Sequence, residues 1–103
     1  MAVIDTGIYK KLDVTVLEFK QALARLNYKK AKKEDEKFLF FQNPKYRSIV
    51  RIPKSVSDQD LVPKITLLGE ANLMFAKGVL SDVDDLAKMI ENQRLAGFAE
   101  ARN

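Results

Sequence analysis

The sequence predicts an α+β fold: an α-β-β-β-α core with a three-stranded antiparallel sheet, plus an extra C-terminal helix. Three observations predict it. Thr15 with Glu18 three residues later forms a capping box ahead of an apolar stripe at helical spacing. Residues 28–53 then read as three short strands, separated by a charged turn and by Asn43-Pro44. Beyond Pro53 the helical period returns, with start signals at Pro63 and Ser81.

The elements follow in order. Val3, Ile4, Ile8 and Tyr9 around Gly7 read as a short strand or as an arm packed on the body. Asp13–Asn27 is the first helix; Val16, Phe19, Leu23 and Leu26 make its stripe, and Asn27 stops it. Tyr28–Lys33 reads as an edge strand, where lysines discourage pairing with another chain. Glu34-Asp35-Glu36 is the charged turn.

The stretch KFLFFQNPKYRSIVRIPK, residues 37–54, supplies the other two strands. Ser48, Val50 and Ile52 alternate with Arg47, Ile49 and Arg51, so each set lines one face. Four consecutive apolar residues, Phe38–Phe41, cannot share a face. Either both faces are covered there, or two aromatics form an exposed contact patch.

Pro53 ends the third strand, and Ser57 with Asp60 is a further cap signal. Pro63 opens a second helix, with Ile65, Leu68 and Asn72/Leu73 as the expected stripe and Gly69 inside it. Gly78 breaks the chain before a third helix capped by Ser81 and Asp84. Asp82, Asp84 and Asp85 fill its first turn, the favoured sign at the positive end of the helix dipole. Val83, Leu86, Ala87 and Ile90 form its stripe, which Leu95 and Phe98 extend. This helix either covers an open sheet face or pairs with a second copy or a partner protein.

Length and composition fit one domain over residues 1–103, with the core at 13–74 and the added helix at 81–98. A chain of 103 residues buries roughly two-thirds of its unfolded surface, enough for one apolar core. Cysteine is absent, which excludes disulfides and thiolate metal sites. Histidine is absent too, which removes the usual acid–base group near neutrality and the commonest metal ligand. No apolar run approaches the ~20 residues of a membrane span, and the first residues lack a signal-peptide pattern. The expectation is a cytoplasmic protein with no enzymatic activity, no cofactor and no metal.

Charge is uneven. Residues 1–54 hold thirteen Lys/Arg against six Asp/Glu, or +7, whereas residues 55–103 hold five against eight, or −3. A basic half suits a polyanion partner or pairing with an acidic half. Lys29, Lys30, Lys32 and Lys33 form the densest cluster, able to neutralise phosphates or simply to keep an edge strand soluble. Lys45, Tyr46, Arg47, Arg51 and Lys54 surround the second hairpin, where cations could clamp a backbone and Tyr46 stack a ring; a solvated sheet face is the plainer reading. Phe38, Phe40 and Phe41 could line a base-stacking platform, or form core. Asp58, Asp60 and the Asp82–Asp85 group lack the spacing of a calcium loop, and helix capping explains the latter. A Ser-Lys pair using Lys54 would be the nearest thing to a nucleophilic site.

The segments LEFKQALARLNYKKAKK (17–33) and NPKYRSIVRIP (43–53) resemble HicA-like toxin domains, which share the shape of double-stranded RNA-binding domains. The resemblance covers Leu17–Met74. It implies a helix, a tight three-stranded meander closing on an x-Val-Pro-like step, and a second helix. The family's catalytic histidine, preceded by Gly-Ser, would fall at Lys37-Phe38-Leu39, where neither stands. The resemblance therefore implies an RNA-facing fold without the ribonuclease activity. Two functions fit: a non-catalytic module that holds RNA or another nucleic acid through its basic surface, or a small inhibitor, for example phage- or mobile-element-encoded, of a host nucleic-acid-handling complex. A homodimer is compatible with either.

Overall fold

In the computed structural model, which describes residues 7–32 and 35–101 (side chains through 96), the chain forms four helices and one sheet. The order is α1 (Gly7–Lys10), α2 (Val16–Arg25), β1 (Lys29–Lys30), β2 (Phe38–Asn43), β3 (Ser48–Pro53), α3 (Lys64–Ala76) and α4 (Asp85–Ala101). The sheet is an antiparallel meander, β1-β2-β3. The expected α+β architecture is present, with one short helix added at the front.

That addition corrects the reading of the first segment. Val3 and Ile4 lie outside the described residues, but Gly7–Lys10 is one turn of helix and not a strand. Its reason is Tyr9, fully buried, whose hydroxyl donates to the Val83 carbonyl at 2.5 Å and accepts from the Ala87 amide at 3.2 Å.

α2 starts as its capping box requires. Thr15 Oγ1 accepts from the Glu18 amide at 3.1 Å, and Glu18 Oε1 accepts from the Thr15 amide at 3.0 Å. Val16, Phe19 and Leu23 are buried as the stripe demands. Asn27 stops the helix with φ of 68°, a left-handed conformation that Asn tolerates better than most residues.

β1 is only Lys29–Lys30, shorter than the expected Tyr28–Lys33, because Tyr28 turns inward. Its hydroxyl lies 2.5 Å from Ser48 Oγ. β2 and β3 pair from Phe38↔Pro53 to Asn43↔Ser48. Residues directly opposite share a face, so Leu39, Phe41 and Asn43 join the buried Ser48, Val50 and Ile52 on the inner face. Phe38, Phe40 and Gln42 join Ile49, Arg51 and Pro53 on the outer one. A 3-10 turn at Pro44–Tyr46 and a left-handed Arg47, φ 54°, connect the strands.

Residues 57–60 form a loop turn and not a helix cap: the Asp60 carboxylate accepts from the Ser57 amide at 2.8 Å. α3 follows Pro63 as expected, but its buried residues are Leu67, Ala71 and Met74. Ile65 and Leu73, expected in the stripe, are 82% and 56% exposed. The helix is apolar nearly all round, so spacing alone could not choose its inner side. It runs antiparallel beside β3. Pro63 and Thr66 share a cleft of about 180 Å³ with Arg51, Ile52 and Pro53, and at the other end Lys77 Nζ donates to the Arg47 carbonyl at 2.8 Å.

α4 begins at Asp85, later than Ser81, because the Asp85 carboxylate closes a turn onto the Asp82 amide at 3.1 Å. Val83, Leu86, Ala87 and Ile90 are buried, in one apolar cluster with the inner sheet face and the other helices. Leu95 is exposed, and the Phe98 side chain lies outside the described residues. α4 packs against α2. It therefore neither covers the outer sheet face nor presents its stripe to another chain. No helix among the described residues is long and apolar enough to cross a membrane.

Candidate nucleic-acid interface

The outer face of the sheet is the surface that the fold leaves open. Its trough is lined by Ala31, Phe40, Gln42, Ile49 and Arg51, sheet or sheet-edge residues alone. The register builds it in rungs: Lys29 beside Gln42 beside Ile49, then Ala31 beside Phe40 beside Arg51, then Phe38 beside Pro53. Phe38 and Phe40 are two residues apart on β2, which places them about 7 Å apart on the same side. Both are half-buried by their neighbours, with their outer sides toward solvent. The Arg51 guanidinium sits 5.9 Å from the centre of the Phe38 ring, within cation–π range.

The Phe38–Phe41 run is thus divided. Phe41 packs against the core, whereas Phe38 and Phe40 belong to the open face. Assigning all three to core would be wrong for two of them. The signal that separates them is the parity of β3: Val50 and Ile52 face inward, and pairing passes that parity to β2.

The basic residues distribute as follows. Lys29 and Arg51 lie on the outer face at either side of Phe40 and Gln42. Lys30 is opposite Phe41 and so belongs to the other face. Lys32 is exposed in the bend after β1, and Lys33 lies outside the described residues. Lys45 and Arg47 are exposed at the hairpin end, with Lys45 Nζ 5.3 Å from the Tyr46 ring centre. Tyr46 is half-buried and lies near Gly78, so its ring stands at the helix side of the hairpin. Lys54 follows β3, its amide donating to the Lys37 carbonyl at 2.8 Å. Lys29 and Arg51 share the face with the rings, and Lys45 and Arg47 extend positive charge beyond its end.

One carboxylate stands close by. Glu70 of α3 is half-buried under β3; burial pushes its carboxyl above the ordinary range, and the positive charge of Arg51 partly opposes that shift. The outer face itself carries no acidic residue among those described: Lys29, Ala31, Phe38, Phe40, Gln42, Ile49, Arg51 and Pro53 are neutral or cationic. Burial pushes the hydroxyl of Tyr28, the neighbouring tyrosine on the inner side, above its ordinary value, and its hydrogen bond with Ser48 partly opposes that shift. No group of three or more potential metal ligands exists among the described residues. Chemically the surface offers two ring faces, two cations, and one amide able both to donate and to accept.

Comparison of the chain with protein-family models, curated proteins and solved structures finds no match.

Proposed function

We propose that the chain is a non-catalytic module that binds single-stranded nucleic acid, RNA in preference to DNA, on the outer face of its sheet. One observation carries the reading: Phe38 and Phe40 lie side by side on an open face flanked by Arg51 and Lys29. Aromatic rings on an uncovered sheet give unpaired bases a stacking surface worth about 1–3 kcal/mol per base. Arg51 and Lys29 neutralise phosphates on either side, and Gln42 between them reaches base edges. Lys45 and Arg47 continue the cationic track past the hairpin end. The absence of histidine from the sequence is consistent with binding without cleavage.

A duplex suits this surface less well. The edges of paired bases are not available to a flat aromatic face, whereas splayed single strands are. The resemblance to double-stranded RNA-binding domains thus supports the shape and the polyanion preference more than the duplex itself.

The test is fluorescence anisotropy with labelled oligouridine, its DNA equivalent and a duplex RNA. Three to four phosphate contacts predict that raising salt from about 50 to 200 mM weakens single-strand binding about 15- to 50-fold. Phe40→Ala should remove most of the salt-insensitive part. Tighter binding to the duplex than to any single strand, or Phe40→Ala binding as well as the parent, overturns the proposal.

A further inference from the structure

The β3 side of the molecule carries two unsatisfied features that coincide. The first is a row of backbone groups. Lys54 donates to Lys37, so Ile52, Val50 and Ser48 are the β3 residues hydrogen-bonded to β2, by the two-residue alternation of an antiparallel ladder. The N–H and C=O groups of Ile49 and Arg51 therefore point away from the sheet. Neither residue has a backbone partner outside the ladder among the described residues. β3 is thus a six-residue edge strand with an open edge, and Ile49 on it is 60% exposed. A row of this kind is a template for another strand.

The second is the outward side of α3. With Leu67, Ala71 and Met74 buried, the opposite side carries Ile65, Gly69, Leu73 and Ala76, apolar and facing solvent. A helix apolar on all sides is a buried helix in most proteins. Because Pro63 and Thr66 lie by Pro53 and Lys77 reaches Arg47, α3 runs directly along this same border of the sheet.

We infer that two copies of this chain pair through β3, antiparallel about a two-fold axis at Val50, with the outward sides of the two α3 helices meeting alongside. The register follows from the free groups. An axis at Val50 sets Ile49 against Arg51 of the second copy, and the four N–H and four C=O groups of the two chains then satisfy each other. An axis at Arg51 would instead set two guanidinium groups opposite one another, and would oppose Ile49 to Pro53, which has no N–H.

The helices agree independently. The middle of β3 lies level with residues 70–71 of α3, given the anchor points at its two ends. A two-fold axis there sets Ile65 against Ala76 of the second copy and Gly69 against the Asn72–Leu73 step, large against small along the whole contact. Ile49, Ile65 and Leu73 supply roughly 400 Å² of apolar surface per copy, about half of what each side of a standard interface buries, and the strand edge adds to it. The outer faces become continuous across the junction, so the ring-bearing surface doubles without being covered.

Sedimentation equilibrium of the full chain across the micromolar range tests this without any nucleic acid, so its outcome is separate from that of the binding proposal. The expected result is a species of twice 11.7 kDa. Ile49→Pro removes one edge donor at a position where β2 does not need it, and Leu73→Glu puts a charge in the helix contact. Both should yield folded monomers by circular dichroism. In the parent, the Ile49 and Arg51 amides should exchange hydrogen more slowly as concentration rises. A parent that stays at the monomer mass, or a dimer that survives both substitutions with those two amides still exchanging freely, overturns the inference. So does a monomer whose β3 edge is taken by a foreign peptide.

Discussion

The Arg94 guanidinium of α4 grips the Glu18 carboxylate of α2 with two hydrogen bonds, Nε to Oε2 at 2.5 Å and Nη2 to Oε1 at 2.8 Å. Nη2 also donates to the Asp13 carbonyl. Glu18 is at once the capping-box acceptor for Thr15 and the anchor of the last helix. The hydrogen bond from Arg94, more than any other influence, lowers its carboxyl to about 2. A folded-state value below the unfolded one means that the stabilisation is fully present above about pH 4.5 and is lost as pH falls toward 2. Glu18→Gln should therefore flatten the acid limb of stability against pH. Arg94→Ala, partly exposed, should cost about 1 kcal/mol at neutral pH, lowering Tm by about 5 °C in a differential scanning measurement. An unchanged acid limb in Glu18→Gln would show that the pair contributes nothing.

Phe40 and Phe41 are adjacent in sequence and opposite in role. Phe41→Ala should cost about 2–3 kcal/mol, because its ring packs on the core. Phe40→Ala should cost less than half of that in urea unfolding, yet weaken oligouridine binding about 5- to 150-fold, about 1–3 kcal/mol for one lost stacking partner. Equal stability losses would mean that the sheet is covered on both faces.

α3 offers a second matched pair. Leu67→Ala removes a fully buried side chain and should cost about 2–5 kcal/mol. Ile65→Ala, at a position that is mostly exposed in one copy, should stay within about 0.5 kcal/mol for the monomer. Chemical denaturation of the two variants at low protein concentration separates them.

Tyr9→Phe keeps the ring and deletes the hydroxyl that joins the front turn to the start of α4. The Val83 carbonyl and the Ala87 amide each lose their bond to it. A loss of about 2 kcal/mol is expected, since both are buried and nothing replaces the oxygen. Burial raises that hydroxyl to about 12, so the parent should show no tyrosinate from Tyr9 in a spectrophotometric titration until unfolding begins.

Much of this architecture is readable from local chemistry. Thr15 and Glu18 announce α2 because a capping box satisfies amides within one turn, and Asn27 and Gly78 announce stops because both take positive φ. Ser48, Val50 and Ile52 announce the inner face of β3 by alternation. The inner side of α3 was not readable: Ile65, Leu67, Leu68, Leu73, Met74 and Phe75 surround the helix, and only tertiary contact selects among them. The open face was half readable. Alternation required the Phe38–Phe41 run to place two of its four residues on each face, but which pair turns from the core, and whether α4 would cover it, depends on contacts between distant segments. The lysines at 29, 30 and 32 were visible as a cluster. The separation of Lys29 and Lys30 onto different sides of β1, with Lys32 in the bend beyond it, comes from strand pairing, which composition does not carry.

The two borders of the sheet are unlike, and this limits how far the protein can associate. One border, β3, is six residues long; the other, β1, is a two-residue strip made of lysines. Growth of a fibril needs both borders of each unit to accept a neighbour, so the inferred pairing through β3 would end its own assembly after a single step. Replacing those lysines with valines would be expected to convert a self-limiting particle into one that precipitates.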